Sequence, residues 1–116
     1  MSAALRRVGF FRELPHGDPD GPSLDEACRP SASDVEASAL RYLRAGEPYV
    51  RSPGVVFDVR DGSGPVGTGT IRTDGQWIWP DDLAHYVERY HVELPDEFSA
   101  RVRAAGADTP GERREG

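Results

Sequence analysis

The sequence predicts an α+β fold, in which a small antiparallel sheet of three to four strands has helices packed mainly on one face. Capping-box patterns precede apolar residues at helical spacing, which indicates helices. Short runs with an apolar residue at every second position indicate strands, and loops rich in Pro, Gly and Asp separate them. We therefore expect one α+β domain over residues 1–106, followed by a disordered tail at 107–116.

The first elements are short. Residues 5–14, "LRRVGFFREL", predict a strand with Val8 and Phe10 on one face. The loop "PHGDPDGPS" follows. Ser23 and Glu26 then form a capping box that predicts a single helical turn.

Three longer helical segments follow the same logic. Ser33 begins a capping box for a helix over 34–45, with Gly46 as a left-handed C-terminal cap. Asp81 or Asp82 caps a helix that runs to about His91. A last helix has Pro95 in its first turn and ends at Gly106. The apolar residues expected on the inner faces of these helices include Val35, Ala39, Tyr42, Leu43, Leu83, Tyr86, Val87, Tyr90, Phe98 and Val102.

The strand at 55–60 and a following hairpin supply the rest of the sheet. Asp74-Gly75 suits a two-residue type I′ turn, which would place Arg72 opposite Trp77 and Ile71 opposite Ile78. The apolar set expected on the inner face of the sheet is Val55, Phe57, Val59, Ile71 and Ile78.

The stretch "TDGQWIWPDD" contains both tryptophans of the chain, Trp77 and Trp79, on one face of a strand. Thr70, Arg72 and Asp58 would share that face. Tryptophan beside arginine and polar residues is typical of binding surfaces, so one interpretation is an exposed platform that meets a partner. The alternative is that the indoles belong to the core, with Arg72 stacked on Trp77.

Composition excludes several classes of function. The net charge of −6 opposes binding to nucleic acid, and no apolar run is long enough to span a membrane. The start of the chain shows no export signal, so we expect a cytoplasmic protein. All 14 basic residues are arginine, which indicates the codon bias of a GC-rich bacterial genome. Cys28 is the single cysteine and is expected to be idle, because CxxC motifs and disulfides within the chain are impossible.

Few residues suggest chemistry. His16 and Asp18 in "HGDPDG" form a secondary candidate site, although Pro and Arg at ligand positions argue against a calcium loop. Asp81, Asp82 and His85 could meet on one face of a helix, where a solvated polar face is the simpler interpretation. A nucleophile elbow and a phosphate loop are both absent from the sequence. We therefore expect no metal and no cofactor, and a non-catalytic protein is favoured.

Two stretches carry a resemblance: "VGFFRELPHGDPDGPSLDEA" at 8–27 and "TDGQWIWPDDLAHYVERYHVELPDEF" at 73–98. As a pair they resemble a group of short, uncharacterised actinobacterial proteins. The resemblance covers most of residues 8–105 and implies a cytoplasmic bacterial protein of one domain. It implies no activity.

Together these patterns favour a small acidic adaptor, inhibitor or immunity-like protein that binds a protein partner, in particular a basic one. The expected binding residues are Trp77, Trp79, Arg72, Asp58, Thr70, His16 and Asp18. One alternative is a small enzyme or ligand-binding protein, with a pocket between the 74–79 hairpin and the 16–23 loop and with His16 or His85 as the acid–base group. Another is a homodimer formed through the tryptophan face.

Overall fold

Helices and strands alternate along the chain in an α+β arrangement, as the sequence predicts. The computed structural model describes residues 5–108, so the last eight residues of the predicted tail lie outside it. The strands are β1 (Arg6–Arg7), β2 (Glu47–Val50), β3 (Val55–Val56), β4 (Gly67–Thr68), β5 (Ile71–Thr73) and β6 (Trp77–Pro80). The helices are α1 (Leu24–Ala27), α2 (Glu36–Ala45), α3 (Leu83–Tyr90) and α4 (Asp96–Asp108).

The main sheet has four strands in the order β1-β6-β5-β2, and β3 and β4 form a separate pair. The expectation of a purely antiparallel sheet is wrong in one detail, because β1 runs parallel to β6. A long connection through α1, α2 and the strands β2 to β5 separates β1 from β6, and such a connection permits parallel pairing. β1 is also shorter than predicted. Gly9 turns the chain at φ +83, and a Cβ there would lie 2.6 Å from Cδ2 of Leu83.

The β5–β6 hairpin has a longer loop than the sequence predicts. Arg72 pairs with Trp79 and Thr73 with Ile78, a shift of two residues from the expected register. The carboxylate of Asp74 accepts the backbone N–H groups of Gln76 and Trp77 at 2.8 and 2.7 Å, which stabilises a four-residue loop. A shift of two leaves every side chain on its predicted face.

The face of the sheet that carries the tryptophans is the one the helices cover. The indole of Trp77 lies 5.2 Å from the ring of Phe98 in α4, and Trp79 lies 5.6 Å from the same ring. The predicted inner face is therefore wrong at three residues, Val55, Phe57 and Val59, which are 55%, 50% and 39% exposed. Two indoles bury more apolar area than these three side chains, so the helices cover the indoles.

The two capping boxes differ in outcome. At α1 half of the predicted box forms: the hydroxyl of Ser23 accepts the N–H of Glu26 at 3.3 Å. The carboxylate of Glu26 accepts no hydrogen bond from another described residue, and Glu13 instead accepts the N–H of Leu24 at 2.7 Å. At α2 the predicted box does not form, and the helix begins at Glu36 after Val35, with no side-chain cap. The carboxylate of Glu36 is instead hydrogen-bonded to His91 at 3.0 Å. A contact with the end of α3 has thus replaced the predicted hydrogen bond from Glu36 back to the start of its own helix.

Two of the predicted helix ends also need correction. Gly46 has φ −60 and ψ 145, which is extended rather than left-handed. Glycine is needed there for space, because a Cβ would lie 2.4 Å from Cζ2 of Trp79. At the C-terminus, α4 passes through Gly106 and ends at Asp108. The third end is right: His91 caps α3 in the left-handed conformation, at φ 54.

We predict that Gly46→Ala lowers the free energy of unfolding by about 1–3 kcal/mol, because the added methyl group overlaps the indole of Trp79. Urea denaturation followed by circular dichroism measures this change. Gly54→Ala is the matched control, since a Cβ at Gly54 meets no atom within 4 Å. Equal stability of the two variants would contradict the close packing of α2 on Trp79.

Candidate functional site

Both tryptophans predicted to form a platform are buried in the core. Trp77 is 4% exposed and Trp79 is 1% exposed. Nε1 of Trp79 donates to the carbonyl of Leu43 at 3.1 Å, so its only polar side-chain atom is satisfied within the protein. The guanidinium over Trp77 belongs to Arg6, 4.3 Å from the ring centroid, rather than to Arg72. The interpretation that the indoles belong to the core is therefore correct, and the interpretation that they form an exposed platform is wrong.

Arg72 and Thr70 bind neighbouring segments of the protein. Nε of Arg72 lies 2.6 Å from Oδ1 of Asp81, and its Nη1 donates to the carbonyl of Gly46 at 2.7 Å. The hydroxyl of Thr70 accepts the N–H of Ser52 at 3.1 Å and donates to its carbonyl at 3.2 Å. These contacts join β5 to the end of α2 and to the segment that follows β2. Both side chains are therefore engaged in holding the sheet together.

Asp58 is a buried carboxylate with four donors. His85 Nε2 lies 2.7 Å and the Tyr90 hydroxyl 2.8 Å from Oδ2. The backbone N–H groups of Arg60 and Asp61 donate to Oδ1 at 2.7 and 3.2 Å. Burial alone would raise the pKa of Asp58, but these hydrogen bonds outweigh it and hold the pKa below its ordinary value. The carboxylate is thus ionised at neutral pH, and His85 donates to it through Nε2.

His16 and Asp18 lie near each other in sequence but have different partners. Nε2 of His16 is 3.2 Å from Oδ1 of Asp82, a residue with no exposed surface. Asp18 forms a bidentate ion pair with Arg7, at 2.9 and 3.0 Å. Two hydrogen bonds with good geometry make this a specific contact. The loop is therefore bound to the start of α3 and to β1.

The hairpin and the 16–23 loop, predicted to enclose one pocket, line two separate cavities. One cavity is lined by Asp18 and Pro22 of the loop together with residues 7–11 and 93–96. Another lies at the hairpin, against Asp74, and is lined by Tyr42 and residues 45–47. Neither histidine proposed as an acid–base group lines either cavity.

Around helix α3, each of the three histidines contacts a different carboxylate that is buried or half-buried. His85 within the helix contacts Asp58, two residues after β3, and His91 at its end contacts Glu36 of α2. His16 contacts Asp82, which precedes the helix. Each histidine is far from its carboxylate along the chain. Local sequence patterns therefore do not predict that all three histidines form such pairs.

The feature that sequence reasoning missed is an exposed apolar segment at residues 49–59. Five large apolar side chains in it are between 39% and 55% exposed: Tyr49, Val50, Val55, Phe57 and Val59. Val56 and Asp58 alternate with the last three and are half-buried and buried. The alternation is visible in the sequence, but it does not show which side the helices cover.

The exposed segment is one strand of a bent ribbon. Residues 47–56 run antiparallel to residues 67–73, first as β2 on β5 and then as β3 on β4. The N–H of Val59 donates to the hydroxyl of Tyr86 at 2.9 Å, which holds the end of the segment on α3. Burial raises the pKa of Tyr86 to about 12, so this hydroxyl stays protonated at neutral pH.

The open edge of β2 is protected against the addition of another strand. Pro48 pairs with Arg72, and the register shifts between Pro48 and Val50. Because proline has no N–H, Pro48 has only its carbonyl to offer to a further strand. Proline and an irregular register are two ways in which proteins block pairing at an edge. A partner of this surface would therefore contact side chains.

Comparison with protein-family models, with curated proteins and with solved structures found no match for this chain. Within residues 5–108, no helix is long and apolar enough to cross a membrane. The same residues contain no group of three or more His, Cys, Asp or Glu side chains that could hold a metal ion. The function is therefore inferred from the geometry of the chain itself.

We predict that the hydrogen bonds to Asp58 make folding pH-dependent. The folded-state pKa of Asp58 is below its ordinary value of 3.8, so its contribution is complete above that pH. It is lost as the pH falls through the folded-state value. Between about pH 5 and pH 2, the free energy of unfolding should therefore fall less steeply in Asp58→Asn than in the wild type.

Urea denaturation at several pH values measures the two slopes. Asp34→Asn is the control, because the side chain of Asp34 is 86% exposed. This variant should keep the wild-type slope. The same slope in Asp58→Asn as in the wild type would contradict the assignment.

Proposed function

We propose that this chain is a non-catalytic protein-binding module, and that its contact surface is the exposed segment at residues 49–59. The observation that carries the proposal is the exposure of Phe57 and its four apolar neighbours in this segment. The tryptophans, by contrast, are almost completely buried. Val55, Phe57 and Val59 alternate along the chain, so they share one side of the segment, and several large apolar side chains exposed together are typical of interaction surfaces.

Energetics support such a contact. Fully burying a Val or Phe side chain contributes about 1.5–3 kcal/mol, so covering a half-exposed one contributes about 1 kcal/mol. The five side chains together supply several kcal/mol. The segment is also held in place before binding, through the pairing of β3 with β4 and the contacts of Asp58. A surface that is already ordered loses little conformational entropy on association.

The charge of the chain favours a basic partner. The net charge is −6, and a negative protein captures a positive one faster than a neutral one. Among residues 5–108, four exposed carboxylates neither pair with a cation nor accept a hydrogen bond from another described residue: Asp20, Glu26, Glu47 and Asp96. Glu47 lies two residues before the exposed segment. Much of the remaining negative charge is engaged internally, as at Asp58 and Asp82.

A homodimer through the tryptophan face and an acid–base enzyme have less support. The homodimer would require indoles at the surface, and both are buried. The alternative places His16 or His85 in a pocket at the hairpin, and neither histidine lines the cavity there. His85 lines a separate cavity with Asp81 and Glu88, but its Nε2 is already hydrogen-bonded to Asp58 at 2.7 Å. The proposed compartment is the cytoplasm of an actinobacterium, where the lone thiol of Cys28 suits a reducing environment.

We predict that Val55→Ser with Phe57→Ser weakens binding of the partner at least tenfold, because two half-exposed side chains contribute about 2 kcal/mol when buried. Immobilised wild-type and variant proteins would be compared in retention of proteins from an actinobacterial lysate. The expected result is a stoichiometric basic protein that the wild type retains and the double variant loses. Arg103→Ser, at an exposed ion pair on α4, should retain it.

The outcome that contradicts the proposal is equal retention by all three proteins, or no stoichiometric partner of the wild type. Light scattering of the purified chain distinguishes the homodimer. A doubled mass that Val55→Ser with Phe57→Ser abolishes would assign this surface to a second copy and overturn the basic partner. Both substitutions are at exposed positions, so the variant should remain folded.

A further inference from the structure

The 16–23 loop is joined to the start of α3 by a contact with a buried carboxylate. Nε2 of His16 lies 3.2 Å from Oδ1 of Asp82, and the side chain of Asp82 is only 1% exposed. Within residues 5–108, Oδ2 of Asp82 is a buried side-chain atom without a hydrogen-bond partner. Buried polar atoms are nearly always paired, so an unpaired carboxylate oxygen marks a place where the fold is under electrostatic strain.

Asp82 differs in this respect from Asp58, which is also buried. Both oxygens of Asp58 accept hydrogen bonds, and three of its four donors are neutral: the Tyr90 hydroxyl and two backbone N–H groups. The Asp58 anion is therefore stabilised whatever the charge of His85. In the described part of the chain, Asp82 has a hydrogen-bond donor only in His16. The buried charge of Asp82 is thus compensated only while His16 is a cation.

The other described groups around Asp82 do not supply that positive charge. Gly67 of β4 packs on it, because a Cβ there would lie 3.3 Å from Cβ of Asp82. Burial, with a smaller contribution from the charge of Asp82, raises the pKa of Tyr86 to about 12, so the Tyr86 hydroxyl is neutral. The neighbouring carboxylate of Asp81 is negative, and Nε of Arg72 is bound to it at 2.6 Å.

The rest of the loop is attached to other parts of the protein. Asp18 pairs with Arg7 of β1, but their side chains are 42% and 46% exposed, so this pair contributes little to stability. The backbone N–H of Asp18 donates to the carbonyl of Phe10 at 3.1 Å. These contacts fix the loop to residues 7–10. Its attachment to α3 depends on the side chain of His16.

We propose that His16 and Asp82 form a pH-sensitive latch, which holds the 16–23 loop on α3 while His16 is protonated and releases it when that proton is lost. Histidine is the side chain whose charge ordinarily changes between about pH 5 and pH 8. At the acidic end of this range the His16 cation compensates the Asp82 anion. At the basic end the anion has only a neutral donor and an unpaired oxygen, so the loop opens and water reaches Oδ2.

Nuclear magnetic resonance of the full chain tests the latch directly. At about pH 6 we expect nuclear Overhauser contacts between the ring protons of His16 and the β protons of Asp82, and we expect them to be lost at about pH 8.5. Their loss should follow the titration of the His16 ring signals. Contacts between the rings of Trp79 and Phe98 are the internal control and should persist at both pH values. Equal His16–Asp82 contacts at both pH values would overturn the proposal.

A charge-neutral substitution locates the effect. His16→Gln keeps an N–H donor but cannot become a cation. Its equilibrium constant for unfolding in urea should exceed that of the wild type about tenfold or more at about pH 6, and the two should be about equal at about pH 8.5. In an Asp82→Asn background, His16→Gln should have the same effect at both pH values.

Asp18→Asn is the matched control, because it removes the exposed ion pair of the same loop. Its unfolding constant relative to the wild type should not differ between the two pH values. A ratio for His16→Gln that is also the same at both pH values would contradict the latch. Neither measurement involves residues 49–59, so the outcome is independent of partner binding there.

Discussion

The packing of β6 against α2 and α4 is the contact on which the rest of this structure depends. Both indoles of β6 meet the ring of Phe98, and Trp79 also donates to the carbonyl of Leu43. Because these large rings occupy one face of the sheet, the helices pack there, and Val55, Phe57 and Val59 stay exposed. The exposed segment, which carries the proposed function, is thus a consequence of where the tryptophans are buried.

Much of the fold can be predicted from local patterns, and the errors have physical causes. Apolar spacing locates α2, α3 and α4 to within a few residues, and strand alternation correctly places Arg72 with the tryptophans on one face. Alternation says which side chains share a face but not which face is covered. That choice depends on the total volume that the helices bury. The predicted cap of α2 does not form for a similar reason, since Glu36 is hydrogen-bonded to His91, 55 positions away.

The candidate site is harder to predict because local patterns describe its residues one at a time. Asp58 and His85 both stand out in the sequence, yet their hydrogen bond joins residues 27 positions apart and no local pattern reports it. Val55 and Phe57 are predicted to lie in the core because apolar residues usually do. An exposed apolar residue and a buried one look alike in a sequence of this kind, so only the three-dimensional packing identifies the contact surface.

The central claim, that the tryptophans form the core and the 49–59 segment forms the surface, can be tested most directly by fluorescence. Only Trp77 and Trp79 contribute indole emission, so acrylamide quenching of the native protein reports on these two residues alone. We expect emission at short wavelength that acrylamide quenches weakly, with full quenching only after unfolding in urea. Emission at long wavelength with strong quenching in the native state would place an indole in water and contradict the account.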